Sequence, residues 1–208
     1  MEQARLSQNF FARTDVVQIA RDLIGCGLYT NIDGLLTGGV VVETEAYRAP
    51  DDRACHARGN LRTARTETMF GAPGTTYMYL CYGIHRMLNV VTAPRDVAHA
   101  ILIRAIEPTV GIATMRERRR HPKREVDLTN GPGKVGEALG LQLRHNQLDL
   151  TDGVGPIWLT ERAGEVVPEI IAGPRVGVAF AGSCALRPWR FRWANNPYAG
   201  RQEPDYST

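Results

Sequence analysis

The segment GGVVVETEAYRAPDDRACH, residues 38–56, decides the predicted fold, because it opens as an apolar strand and then carries two carboxylates and an aromatic ring. Side chains alternate along a strand, so its residues fall into two sets on opposite faces. One set is Val41, Glu43, Glu45 and Tyr47, and the other is Val40, Val42, Thr44 and Ala46. Burying an unpaired carboxylate is costly. We therefore expect each glutamate to be solvated, paired with a cation or used in chemistry.

The flanking sequence predicts more strands than helices. A helix over TDVVQIARDLIGC (14–26), with Thr14 as its N-cap and Gly25 as its stop, precedes a strand at GLYTN (27–31), which the turn NIDG joins to the glutamate strand. Residues 76–93, TYMYLCYGIHRMLNVVTA, predict a hairpin with Tyr82 at its tip and Gly83 in its turn. A buried strand over 99–108 should end at Pro108.

The remaining segments complete the prediction of a mixed α/β (α+β) fold. Residues 49–76 predict a long irregular excursion with a short helical turn, a kind of segment that is often functional. Residues 109–125 predict a helix that runs into a basic tail, and LTNGPGKVGEALGL (128–141) predicts a turn and a short helix. Strands are expected at IWLTER (157–162), RVGVAFAG (175–182) and WRFRWA (189–194). We expect one domain over residues 1–208, with a curved, mostly antiparallel sheet, surrounding helices and a protruding β-hairpin.

Composition excludes several classes of protein. In 208 residues, 43% are hydrophobic and 23% are charged, which is typical of a globular chain and not of a disordered or fibrous one. The sequence contains neither a secretory h-region nor an apolar run long enough for a membrane helix. Its four cysteines show no paired spacing, which favours a reducing compartment, so we expect a cytoplasmic, nucleoid-associated protein. A net charge of +3 permits a nucleic-acid partner without requiring one.

Candidate chemistry gathers around the glutamate strand and the hairpin. Four of the seven tyrosines, Tyr47, Tyr77, Tyr79 and Tyr82, belong to the segments that carry Glu45 and His56. Flat rings beside a carboxylate suit a planar ligand such as a nucleobase, although half-buried tyrosines of an ordinary sheet core give the same pattern. Arg58, Arg62 and Arg65 lie in the adjacent excursion. The arginines of residues 116–124 are explained equally well by a solvated helix end.

Metal and phosphate-loop motifs carry little weight. Cys55, His56, Cys81 and His85 do not have the spacing of zinc ligands. No Walker A, Rossmann or GxSxG motif is present, and no cofactor is expected. NGPGK ahead of a helix offers backbone N–H groups and Lys134 for contact with a single phosphate.

Taken in order, six motifs closely resemble the alkyladenine (3-methyladenine) DNA glycosylase family in its compact bacterial form. They are VVETEAY, ACHARGNLRTARTETMF, PGTTYMYLCYGIHRMLNVV, ILIRAIEP, NGPGKVGEALGL and RVGVAFAG with PWRF, and together they span most of the chain. The resemblance implies a monomeric, metal-free enzyme of base excision repair. Its partner would be double-stranded DNA containing damaged purines, with alkylated adenine and guanine, hypoxanthine and ethenoadenine as substrates.

The resemblance also implies roles for individual residues. Glu45 would activate water, and Arg104 would help to hold that water. Tyr47, His56 and Tyr79 would enclose the flipped base, with Asn89 at the position that crowds the amino group of normal guanine. Tyr82 would intercalate into the duplex. Arg58 and Arg65 in the excursion, with Lys134, are our predicted phosphate contacts.

Two other functions remain open on the sequence alone. A noncatalytic nucleic-acid-binding module would use the tyrosines only to stack bases, and would leave Glu45 without a purpose. A carbohydrate hydrolase would use Glu43 and Glu45 as a pair, since residues two apart on a strand face lie about 6.5 to 7 Å apart, near the carboxylate separation of inverting glycosidases.

Overall fold

A computed structural model describes residues 3–164 and 168–200 and contains one eight-stranded sheet. The strand order is β3-β4-β5-β2-β1-β6, and β8 pairs with both β2 and β7. Every strand pair is antiparallel. The strands are β1 Cys26–Ile32, β2 Leu35–Arg48, β3 Thr76–Cys81, β4 His85–Thr92, β5 His99–Val110, β6 Ile157–Arg162, β7 Ile170–Gly173 and β8 Arg190–Trp193.

The predicted mixed fold with an antiparallel sheet is confirmed. The helices are α1 Gln8–Phe11, α2 Val16–Asp22, α3 Ile112–Arg118 and α4 Pro132–Ala138, with 3₁₀ turns between strands. The expectation of a single domain stays a prediction, because residues 1–2, 165–167 and 201–208 lie outside the described part of the chain.

The main core lies between one face of the sheet and the helices. Its largest buried side chains include Ile19 and Leu23 near α2, Ile101 and Ile103 on β5, and Met115 on α3. A smaller apolar cluster, which includes Met69, Phe70 and Tyr77, lies beneath the excursion between β2 and β3. The helix-facing side of the sheet is therefore filled by the core, and functional side chains can collect only on the other side.

Two irregularities in the pairing of β2 with β5 set the directions of the site residues. Val41 pairs with Ile106 and Glu43 with Ala105, so Val42 is an extra residue on β2. Thr44 then pairs with Ile103, which makes Arg104 the extra residue on β5. Because a bulge breaks the alternation of faces, Val41 packs in the main core together with Ala46. The prediction that Val41 shares a face with Glu43 and Glu45 is therefore wrong.

Two predicted helix and strand ends are also wrong. The N-cap of α2 is Asp15, whose carboxylate accepts from the N–H groups of Val17 and Gln18, and not Thr14. Strand β5 continues through Pro108, which pairs with Gly39 at a register shift, a position where the missing N–H is tolerated.

The segment 175–182 is not a strand, contrary to prediction. A turn at Gly177, whose φ is +72°, leads into a 3₁₀ segment, Ala179–Leu186, that is interrupted by Gly182 at φ +59°. Only glycine adopts such angles readily, so these residues form a loop over the sheet. Strand β7 was not predicted, because its short sequence carries little alternation.

The hairpin and the excursion match their predictions. Strands β3 and β4 pair from Thr76 with Val90 to Cys81 with His85, and the tip residues Tyr82 and Gly83 have φ values of +51° and +73°. Tyr82 is 90% exposed. The excursion contains short 3₁₀ helices at Arg58–Asn60 and Glu67–Phe70.

Candidate active site

A cavity of about 560 Å³ opens on the face of the sheet opposite the main core. Strands β2 to β5, the excursion and the loop around Val176 contribute its walls. Of the predicted site residues, it brings together Glu45, Tyr47, His56, Arg65, Tyr79, Tyr82, Asn89 and Arg104. Tyr77, Met69, Val176 and Phe180 line it as well. Most of the side chains named from the sequence therefore converge on one place.

Glu45 lies at the floor of this cavity and is 0% exposed. Its Oε1 accepts from the backbone N–H of Val176 at 2.7 Å, and the Nη1 of Arg104 lies 3.2 Å from the same oxygen. Its Oε2 accepts from the hydroxyl of Tyr47 at 2.7 Å. A carboxylate offers about four acceptor positions, so these three donors leave room for a water molecule.

Glu43 is equally buried but has a different environment. Its Oε1 accepts from the Nε of Arg104 at 2.7 Å and from the Nε of Arg190 at 2.6 Å, and its Oε2 accepts from the N–H of Gly200 at 2.7 Å. Burial by itself would raise the pKa of Glu43, but the two arginines outweigh it and hold the pKa below its ordinary value. Of the two states expected for Glu43 without a catalytic role, solvated or paired with a basic group, the structure shows the second.

Arg104 connects the two carboxylates. It contacts Glu43 through Nε and Glu45 through Nη1, and its side chain is 12% exposed. Burial alone would lower its pKa, but the two carboxylates raise it, so Arg104 carries its charge. The bulge at Arg104 directs this side chain to the glutamate face of the sheet.

Rings form the sides of the cavity. The ring of His56 lies edge-on to Tyr79, with centroids 4.8 Å apart, and Tyr77 lies 5.6 Å from Tyr79. Tyr47 lines the cavity as well, and the guanidinium of Arg175 lies 4.7 Å from its ring centroid. The sheet and the excursion thus both supply aromatic surface to the cavity.

His56 is held in its neutral form. The Nη2 of Arg65 lies 3.0 Å from Nε2, and because a guanidinium can only donate, Nε2 accepts. The ring proton therefore lies on Nδ1, 2.9 Å from the hydroxyl of Tyr77. Burial, with a contribution from Arg65, lowers the pKa of His56 to about 4. At neutral pH the imidazole ring of His56 therefore carries no positive charge.

A buried ion pair fixes the loop that covers Glu45. Arg175 donates to both carboxylate oxygens of Asp52, at 2.5 and 2.8 Å, and both side chains are fully buried. Arg175 also donates to the backbone oxygen of Ala46. The pair joins the excursion to the segment that precedes Val176, and so positions the N–H that reaches Glu45.

Asn89 and Tyr82 lie where the predicted hairpin puts them. Asn89 is 3% exposed, and its Nδ2 donates to the backbone oxygen of Tyr77 at 3.1 Å. Tyr82 stands at the rim of the cavity with almost all of its surface exposed.

The three predicted phosphate contacts differ in their surroundings. Arg65 lines the cavity, with its guanidinium 5.0 Å from the ring centroid of Tyr79. Arg58 is exposed in the excursion. The ammonium of Lys134 donates to Asn130 at 2.7 Å and to Asp127 at 3.0 Å, so the acidic neighbour already offsets its charge. These roles stay predictions.

Sequence reasoning missed the groups that hold the carboxylates in place. Val176, Arg175, Arg190 and Gly200 lie far along the chain from β2, in segments read as strands or given no role. A conspicuous signal was the alternation of Arg190 and Arg192 on a strand otherwise rich in aromatics. Within the described ranges, no group of three or more His, Cys, Asp or Glu side chains could hold a metal ion.

Comparison with known proteins identifies the family of the chain. Residues 9–197 match the family model described as methylpurine-DNA glycosylase (MPG). A relative from Chlamydia pneumoniae is 43% identical over 187 residues, covering 89% of this chain and 93% of its own length. A relative from Bacillus cereus strain B4264 is 39% identical over 200 residues, covering 92% and 97%. Both carry the name "Putative 3-methyladenine DNA glycosylase".

The protein is a DNA N-glycosylase, a hydrolase of DNA repair. More particularly, the chain belongs to the methylpurine-DNA glycosylase family, as its motifs indicated. This membership excludes the noncatalytic binding module and the carbohydrate hydrolase that the sequence left open.

A separate observation concerns membranes: none of the helices in the described ranges is long and apolar enough to span one.

Proposed function

We propose that the protein removes damaged purines from duplex DNA by rotating the nucleotide into the cavity and hydrolysing its N-glycosidic bond. Alkylated adenine and guanine, with hypoxanthine and ethenoadenine, form the substrate class, and 3-methyladenine is the base named for the relatives. The enzyme would act as a monomer in the cytoplasm, at the nucleoid. The observation that carries the proposal is a fully buried carboxylate, Glu45, at the floor of a cavity walled by aromatic rings.

Glu45 acts as the general base. A carboxylate with an unused acceptor position can take a proton from water as that water attacks the sugar carbon. The negative charge of Glu45 also stabilises the oxocarbenium-like sugar that forms as the base leaves. Arg104 balances part of this charge and holds the carboxylate from one side, while the hydroxyl of Tyr47 holds it from the other.

The rings select and hold the base. A purine between Tyr47 on one side and His56 with Tyr79 on the other is enclosed by aromatic rings, and a positively charged alkylpurine gains cation–π attraction that a normal purine lacks. Because His56 is neutral, it does not repel such a base. Asn89, fixed by its bond to Tyr77, limits the space for the amino group of normal guanine.

The hairpin lowers the cost of extruding the base. Unstacking a nucleotide costs a few kcal/mol, least for a damaged or mispaired base. Tyr82, 90% exposed at the hairpin tip, can fill the space that the base vacates in the duplex. Arg58, Arg65 and Lys134 would hold the backbone phosphates near this point.

The test is base release from duplex oligonucleotides that each carry one lesion: hypoxanthine, ethenoadenine, an alkylated guanine or no lesion. Wild-type protein should release the damaged bases, and Glu45→Gln should bind the same duplexes while releasing base about 10² to 10⁴ times more slowly. A rate unchanged by Glu45→Gln would contradict the assignment of the base. Glu43→Gln, assayed below its unfolding temperature, is the matched control and should retain much of the activity.

A further inference from the structure

A second cavity, of about 300 Å³, lies at the far end of α4 from the active site. Four arginines line it, and we call it the arginine cleft: Arg86, Arg118, Arg120 and Arg144. Asp33 and Glu137 are the acidic residues in its lining. The cleft thus collects a strong excess of positive charge in one concave place.

The acidic residues do not neutralise the cleft. Glu137 is already paired with Arg119, which does not line the cavity. Asp33 is exposed, and its carboxylate lies 4.0 Å from the guanidinium of Arg144, a distance at which an exposed pair contributes little. The guanidinium groups of Arg86 and Arg120 form no hydrogen bond or ion pair with any residue that the structure describes.

The cleft has a rigid base. Arg118 donates to the hydroxyl of Thr37 at 3.2 Å and to the backbone oxygen of Ala138 at 3.1 Å, which fixes its guanidinium at the end of α4. Gly140, with φ +72°, allows this approach, since a Cβ there would lie 2.7 Å from the guanidinium carbon of Arg118. Packing therefore fixes the position of Arg118 at the base of the cleft.

The position of the cleft relates it to the path of the DNA. Arg86 on β4 pairs with Leu80 on β3, which lines the active-site cavity, so the cleft adjoins the hairpin that carries Tyr82. Helix α4 begins at Pro132, which lines the active site, and its seven residues span about 10 Å toward the cleft. The length of α4 is less than half of a duplex turn of about 34 Å.

We propose that the arginine cleft binds phosphate oxyanions of the DNA backbone on one side of the damaged nucleotide. A guanidinium group can donate two parallel hydrogen bonds to the oxygens of one phosphate. An arginine without an ion-pair partner breaks no existing contact when it binds a phosphate. Such contacts hold the duplex without reading sequence. The inference rests on the proposed function in one respect, namely that the duplex lies over the Tyr82 hairpin.

The experiment measures the affinity for undamaged duplex as a function of salt concentration. The variant is Arg86→Gln combined with Arg144→Gln, both outside the active site, and the matched control is Arg116→Gln, an α3 arginine paired with Glu125 outside the cleft. Each lost phosphate contact should reduce the slope of log affinity against log salt by about 0.9. The double variant should therefore lose one to two units of slope, while base release at saturating enzyme stays at the wild-type rate.

A second arm uses inorganic tripolyphosphate, with binding measured by calorimetry. Weak binding by wild type that is lost in the double variant, together with the reduced slope, supports the proposal. An unchanged salt slope in the double variant overturns the proposal. This holds even if tripolyphosphate binds the wild type, because the cleft would then bind a free polyphosphate and not the DNA backbone. If no lesion is released at all, the proposed function fails, but the slopes on undamaged duplex still test the cleft.

Discussion

Glu43 and Glu45 lie two residues apart on β2, both buried, yet their surroundings assign them different parts. Glu43 contacts the guanidinium groups of Arg104 and Arg190 and the N–H of Gly200, and is enclosed by them. Among the described residues, Glu45 has one ion-pair partner, Arg104 at 3.2 Å, and two neutral hydrogen-bond donors, and it borders the cavity.

The difference shows how a buried carboxylate becomes structural or chemical. Two arginines compensate Glu43 in full, so its charge is satisfied and its pKa is lowered. Glu45 is held in place by groups that leave an acceptor position facing the ligand space. A buried charge that is under-compensated and faces a cavity is a candidate for catalysis, whereas one enclosed by cations stabilises the sheet.

Removing the charge of Glu43 should give the largest effect on stability. Glu43→Gln leaves Arg104 and Arg190 buried without their anion, and breaking a buried pair costs about 3 to 5 kcal/mol. Chemical denaturation at neutral pH measures this loss. Glu161→Gln, an exposed carboxylate on β6, is the control and should change the free energy of unfolding by less than about 0.5 kcal/mol. A small loss in the free energy of unfolding for Glu43→Gln would mean that Arg104 and Arg190 can stay buried without this anion.

Lowering the pH should reduce the free energy of unfolding through His56 and through Glu43 in different pH ranges. The pKa of His56 falls from its ordinary value of 6.5 to about 4 in the folded protein, so the unfolded chain binds more protons between these values. His56 therefore costs stability as pH falls from about 6.5 toward 4, on the order of 3 kcal/mol. The lowered pKa of Glu43 acts below its ordinary value of 4.5, where protonation removes its contribution.

Replacing His56 should separate these windows. His56→Gln is expected to flatten the stability curve between pH 6.5 and 4 while leaving the loss at lower pH in place. Urea unfolding at a series of pH values measures both parts. The exposed His121, changed to Gln, is the control, and an equal flattening in that variant would count against the role of burial at His56.

The smallest effect is expected at the hydroxyl of Tyr47. Tyr47→Phe keeps the ring that stacks on the base and removes one of the donors to Glu45. We expect base release to slow about tenfold, equivalent to about 1.4 kcal/mol, because the carboxylate is held less firmly. Single-turnover rates on one damaged duplex measure the change, and Tyr29→Phe, beside Trp158 outside the cavity, should leave them unaltered. An equal rate for Tyr47→Phe would show that this bond does not orient Glu45.

Local sequence patterns predicted the parts of the fold that depend on near neighbours. The hairpin with Gly83, the strand of Glu43 and Glu45, and the short helix after NGPGK all form where turn residues and apolar runs placed them. Predictions were wrong where distant pairing overrides the local pattern. Val41 turned to the core because β5 pairs with a bulge at Val42, and residues 175–182 form a loop because two glycines take positive φ values.

The sequence by itself determined the family, the antiparallel fold and most of the polar and aromatic residues that gather at the cavity. It could do so because the order of the motifs and the alternation of polar and apolar residues can be read directly from the sequence. The tertiary structure decided how the two glutamates differ, because their partners Arg104, Val176, Arg190 and Gly200 are brought to β2 only by pairing and loop closure. The charge balance of a buried group depends on neighbours in space, which the order of residues along the chain does not record.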